Sequence, residues 1–197
     1  ADYLNDHTLT RDDFDVLTIQ DYTIITNKTK ATKLYPERTL DRPEDWAPGK
    51  QGTVQLVIVE YGATYKVTIN DIECTYKTIT SNNPETDTEF LDADDILNGL
   101  KADIEAKTTG ITVTKLNTTL ELSSNTEFTM NVEGGITGAS LFGFQTDVKN
   151  ESELPEQSVE GRIARIVNFE TTLADDVWVG FFPTNGTQGE GLWQEIK

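Results

Sequence analysis

Residues 53–80 read "TVQLVIVEYGATYKVTINDIECTYKTIT". In an extended chain Val54, Leu56 and Ile58 face one way and Val57, Val59 and Tyr61 the other, because successive side chains alternate across a strand. Apolar residues on both faces predict a central strand that runs to Tyr61. "TYKVTIN" then alternates cleanly, with Tyr65, Val67 and Ile69 turned in and Lys66 and Thr68 turned out. Asn70-Asp71 supplies a two-residue turn, since both residue types tolerate positive φ. "IECTYKTIT" brings the chain back as the second strand of a hairpin.

Downstream, "DADDILNGLKADIEAK" at 92–107 is the one good helix. Acids crowd its first turn, where they complement the dipole and cap free N–H groups. Ile96, Leu97, Leu100 and Ile104 recur at helical spacing and form an apolar stripe. "ITVTKL", "TTLELSS" and "TEFTMNVEGG" read as three strands, with Asn117-Thr118 closing the first turn and Phe128, Met130 and Val132 on one face. Residues 51–148 thus read as an α+β module: one sheet covered on one face by one helix. The glycine-dense "GGITGASLFGFQ" lacks the strand–helix setting and the lysine of a phosphate loop, and predicts tight turns around a strand carrying Leu141, Phe142 and Phe144.

Two polar stretches flank this module. "YPERTLDRPEDWAPGKQG", 35–52, holds three prolines and reads as a linker, because proline cannot donate to a sheet ladder. "DVKNESELPEQSVE", 147–160, reads as a second linker. Before the first lie the strand signals "FDVLTIQ", "YTIIT" and "TKATKL", with Phe14 and Val16 on one face and Leu17 and Ile19 on the other. After the second come "GRIARIVNF", "DDVWVGFF" and "GLWQEI", again short strands in sequence. The fold class expected is mainly β (α+β). Body segments 1–50 and 149–197 belong together, and the α+β module is inserted between them. The chain opens on Ala1 and ends with strand patterning still running, which reads as part of a longer polypeptide.

With 197 residues, 36% hydrophobic and 25% charged, the chain can bury a sizeable core. No stretch approaches about 18 consecutive apolar residues, so no membrane-spanning segment is expected. Sixteen Lys and Arg against 34 Asp and Glu give a formal net charge of -18. Such a chain repels phosphate, which argues against nucleic-acid binding by counterion release. Against that balance Lys28, Lys30 and Lys33 cluster in one segment, which reads as a contact with an acidic neighbour.

The chemistry-bearing residues are few. Cys74 is the single cysteine, so neither an internal disulfide nor a thiolate metal cluster can form. It alternates with Ile72 and Tyr76, which fits a buried inert thiol. A nucleophile would want a histidine, and the only one, His7, lies in a polar N-terminal segment. Asp92, Asp94 and Asp95 fit helix capping, and a calcium loop fails on the spacing of its glycine and glutamate. Asp175-Asp176 and Asp94-Asp95 are the carboxylate pairs a hydrolase would need, but acidic pairs are abundant here, and Asp175 and Asp176, as neighbours on a strand, would point to opposite faces. Trp46, Trp178 and Trp193 would serve a glycan-binding surface if at least two shared an exposed patch. No catalytic, cofactor-binding or metal residue is assigned, and no cofactor is expected.

The order of these blocks carries a resemblance. "DDFDVLTIQDYTIITNKTKATKL", with Leu17, Thr18, Asp21, Tyr22, Thr23 and Asn27, resembles the N-terminal region of the tail tubular protein B, or tail nozzle, family of T7-like podoviruses. "YGATYKVTIN" is similar to that family's next strand pair. "LPEQSVEGRIARIV", "ADDVWVGFF" and "GLWQEIK" match its later run at Leu154, Pro155, Asp175, Asp176, Trp178, Trp193 and Glu195. Residues 35–52 depart from the pattern. The resemblance implies a non-enzymatic structural subunit of the virion, with a β-propeller-like body and an inserted platform module. It also implies a homohexameric ring at the end of a short phage tail. Such a ring contacts the tail adaptor protein and the tail fibres and passes DNA through its lumen during ejection. The alternative is a tail or fibre module that binds a host-surface glycan.

Overall fold

The computed structural model describes residues 8–19, 22–29, 49–80, 91–136, 138–167 and 176–196. It divides into two compact units, 1–39 and 40–197.

The first unit is an antiparallel ribbon of β1 (Phe14–Ile19) and β2 (Tyr22–Asn27), entered by a single 3₁₀ turn at Arg11–Asp13. The Asp13 carboxylate accepts from the backbone N–H and the hydroxyl of Thr10 at 2.7 and 2.9 Å, which fixes that turn and holds the carboxyl below its usual range. Thr18 and Thr23 meet across the strands through their hydroxyls at 3.2 Å. Val16 and Leu17 belong to opposite faces, yet both are exposed. The sequence-expected strand "TKATKL" lies mostly outside the described residues.

The second unit begins with β3 (Gln51–Leu56), β4 (Thr64–Ile69) and β5 (Ile72–Lys77). The helix α1 (Ala93–Lys107) follows, then β6 (Ile111–Leu116), β7 (Thr119–Ser124), β8 (Met130–Gly134) and β9 (Leu141–Phe144). It ends with β10 (Asp147–Val148), β11 (Gln157–Val159), β12 (Ile163–Ile166), β13 (Val177–Pro183) and β14 (Gln188–Glu195). The chain is mainly β, with one α-helix among the described residues. That helix is not long and apolar enough to cross a membrane.

The hairpin forms as expected. Asn70 and Asp71 take φ of 47° and 67°, and Ile69 pairs with Ile72 across the turn. Asn117 likewise adopts φ 45° where β6 turns into β7. Asp92 caps α1 by accepting from the Asp94 N–H at 2.9 Å, and Ile96, Leu97, Leu100 and Ile104 are all buried.

Three expectations need correction. The module holds two sheets, ordered β6-β7-β3-β9 and β5-β4-β8, in place of one. The division arises because β3 takes β7 and β9 as its neighbours while β4 takes β5 and β8. One core, with Tyr65, Val67, Leu120, Leu122 and the helix stripe, joins both sheets to α1. The second correction is to the central strand. β3 is interior as expected, but it stops at Leu56. Val57 and Ile58 both donate to the Ser140 carbonyl, at 2.9 and 3.3 Å, and the ladder ends there. The third concerns 147–160, which is structured: β10, a 3₁₀ turn at Glu151–Glu153 capped by Asn150, and β11 all fall within it. β10 and β11 become the two edges of a sheet ordered β10-β12-β13-β14-β11.

Gly143 explains a close approach that the glycine-dense segment provides. A Cβ there would stand 2.7 Å from Val132 Cγ1, so only glycine lets β9 lie against β8.

Candidate functional site

Among the described residues, those singled out in the sequence do not gather. Cys74 is buried, and burial pushes its thiol up, helped by the nearby Asp103 charge. Its sulfur is therefore protonated and shielded, the opposite of an activated nucleophile. His7 lies outside the described residues. Asp92 caps the helix, while Asp94 is engaged by Lys115 Nζ at 2.6 Å. Among the described residues no three His, Cys, Asp or Glu side chains cluster as metal ligands.

Trp178 and Trp193 sit on neighbouring strands of one sheet but on opposite faces. Trp193 pairs in register with Phe181 and meets it edge-on at 5.3 Å, whereas Trp178 pairs with Arg165, whose guanidinium lies 5.5 Å over its ring. Each packs on a different apolar cluster. These two cannot form one sugar-stacking patch, and Trp46 is outside the described residues. Asp176 lies 3.5 Å from Arg165, which also grips Asp147 through two bonds of 2.8 and 2.7 Å. Asp175 is outside the described residues.

Sequence reading missed the most buried polar cluster. Arg162, at the entry to β12, is 1% exposed, and Glu121 on β7 is 3% exposed. The Arg162 Nε stands 3.4 Å from Glu121 Oε2 and donates at 2.9 Å to the Thr53 hydroxyl, which donates in turn to the same carboxylate oxygen at 2.9 Å. Ser158 of β11 donates to the other oxygen at 2.6 Å. The Arg162 Nη1 and Nη2 reach the Ile163 and Phe144 carbonyls at 2.7 and 3.3 Å, and the guanidinium lies 4.8 Å over the Phe144 ring. Burial pushes the Glu121 carboxyl up, against the opposing pull of Arg162, Ser158 and Thr53. Arg162 stays protonated because a guanidinium does not release its proton in proteins. Nothing in this cluster is open to a substrate. It clamps the β3–β7 sheet to the β11–β14 sheet, and "GRIARI" gives only a positional hint, an arginine framed by strand residues where a solvent-facing side chain would be expected.

What remains is surface. Most described cations are matched by carboxylates: Lys28 by Asp15, Lys66 by Glu73 and Glu133, Lys101 by Glu105, Lys107 by Asp103, Lys115 by Asp94, Arg162 by Glu121 and Arg165 by Asp147. The exposed apolar residues, including Val57, Ile58, Ile136 and Leu192, carry no chemistry beyond contact. The sequence model of the bacteriophage nozzle protein family matches residues 1–197. The chain belongs to the bacteriophage nozzle protein family. No curated protein matches it. As a nozzle-family chain it is a structural component of the phage tail and resides in the virion. The strand-rich fold accords with that family membership.

Proposed function

We propose that this chain is a subunit of a ring-shaped conduit, a homohexamer at the tail tip, through which DNA leaves the virion. The observation that carries the reading is electrostatic. The net charge is -18, and the described cations are largely neutralised by adjacent carboxylates. DNA carries one negative charge per roughly 1.7 Å of its axis, and a basic wall would hold it by counterion release. An acidic wall lets it slide. The tail adaptor protein and tail fibres are the expected neighbours. The module at 51–148 is proposed as a platform set between body segments 1–50 and 149–197. A ring needs heterologous contacts that close by rotation, and the exposed apolar residues furnish surface for them.

Cryo-electron microscopy of the assembled tail tests this. A six-fold ring with an open lumen is expected, and a monomer or a trimer overturns it. A gel-shift titration with duplex DNA at about 0.01 M salt, where the Debye length is about 30 Å, should show no retardation. Retardation that salt abolishes would reveal a basic patch and remove the sliding argument.

A further inference from the structure

We propose that the apolar groove beside β14 receives the lysine-rich segment Lys28–Tyr35 of a second copy of this chain; the proposal rests on the ring reading above. The groove encloses about 500 Å³, with Leu154, Pro155, Leu192 and Trp193 among its lining residues. It is preformed. The Trp193 indole N–H donates to the Pro155 carbonyl at 2.8 Å and holds the 154–155 segment against β14. Leu192 is 65% exposed beside it, an apolar side chain without cover.

Charge selects the occupant. Glu151, Glu156 and Glu190 line the same groove, and all three are exposed. The register pairs Gln157 with Glu190, which brings Glu156 and Glu190 close along one lip. Elsewhere on the described surface Asp94, Asp103 and Asp147 each have a cation within 4.0 Å, but these three glutamates have none among the described residues. An apolar cleft with unmatched negative charge suits a segment that couples cations to an apolar anchor. The chain contains such a segment at "KTKATKLY", 28–35. Lys28, Lys30 and Lys33 lead into Leu34 and Tyr35, and no acid occurs between Asp21 and Glu37. Lys28 pairs with Asp15 at 3.4 Å, but both side chains are largely exposed, and such a pair yields readily.

The test titrates a synthetic peptide of residues 27–38 into the full chain by calorimetry. Saturable binding is expected, weakened roughly tenfold or more in Glu156→Lys/Glu190→Lys and by high salt. A peptide carrying Lys30→Glu and Lys33→Glu should fail on the wild type and bind the doubly substituted chain. Circular dichroism melts check that the substituted chain is folded. No binding, binding indifferent to the glutamates, or saturation of the groove by a neutral oligosaccharide would overturn the proposal. Sedimentation supplies the second arm. Glu156→Lys/Glu190→Lys and Lys30→Glu/Lys33→Glu chains should each self-associate less than wild type and should associate when mixed. A six-fold ring formed unchanged by either variant would sink the groove contact and leave the ring reading standing. Peptide binding without any ring would do the reverse.

Discussion

The Arg162 Nε lies 3.4 Å from Glu121 Oε2, and both side chains are within 2% of full burial. Removing one partner strands a charge in a medium that cannot solvate it. Glu121→Ala should therefore cost about 3–5 kcal/mol in chemical denaturation. Glu121→Leu/Arg162→Met should cost less than either single change, because no charge is left behind. A double variant as damaged as the sum of its singles would mean the two residues act independently.

The same pair bears on how the module stands alone. A fragment of 51–148 keeps the core shared by α1 and the hairpin but lacks Arg162 and Ser158, and Glu121 then loses two of its partners. It should fold less stably than a fragment of 49–196, measured by urea midpoint. Equal midpoints would show that the 149–197 segment contributes nothing to the module.

Gly99 sits inside α1, where alanine would ordinarily gain about 1 kcal/mol. Here a Cβ would stand 2.0 Å from Cδ2 of Tyr76 on β5. Overpacking costs about 1–3 kcal/mol and outweighs the propensity gain. Gly99→Ala should lower the melting temperature, and should do so less in a Tyr76→Leu background. A rise in the wild-type background would show that the Tyr76 ring swings away freely.

Leu100 is fully buried in the stripe that α1 lays on the sheets. Leu100→Ala should cost about 2–5 kcal/mol. A melting temperature that hardly moves would make the helix peripheral.

Asp103 accepts from Lys107 Nζ and from the Thr75 N–H, each at 2.7 Å, and these bonds hold its carboxyl below the usual range. A depressed carboxyl contributes stability above its unfolded value, near 3.8, and loses it as pH falls through the folded value. The partner Lys107 is raised by the same bond, so its share is lost only in strong alkali. Wild type should exceed Asp103→Asn in stability at neutral pH, and the gap should close in acid below about pH 4. A gap that persists at low pH would mean the carboxylate charge is irrelevant.

Local structure was legible because local rules decide it. Asn70-Asp71, Asp92 and the Ile96–Ile104 stripe act within a few residues of themselves, and each did what its residue type dictates. Partner choice was not legible. Nothing near Val54 says that its neighbours will be Leu120 and Gly143 in place of residues of β4. The polar segment 147–160 looked like a linker because its order comes from distant groups: Arg165 gripping Asp147, Trp193 holding Pro155 and Glu121 accepting from Ser158. The buried Arg162 was hidden for the same reason.

The early end of β3 has a cost for the solitary chain. Past Leu56 the run Val57-Ile58-Val59 stays exposed, at 57%, 45% and 37%, and the backbone N–H and C=O of Val59 have no partner among the described residues. β-Branched apolar residues beside open backbone groups are what another strand seeks. A charge next to such a run normally repels it. Here the neighbouring Glu60 has its carboxylate turned inward to the Ser140 hydroxyl and the Ile136 N–H, so it no longer guards the edge. The isolated chain is thus exposed to strand-to-strand aggregation, and Val59→Lys should raise its solubility.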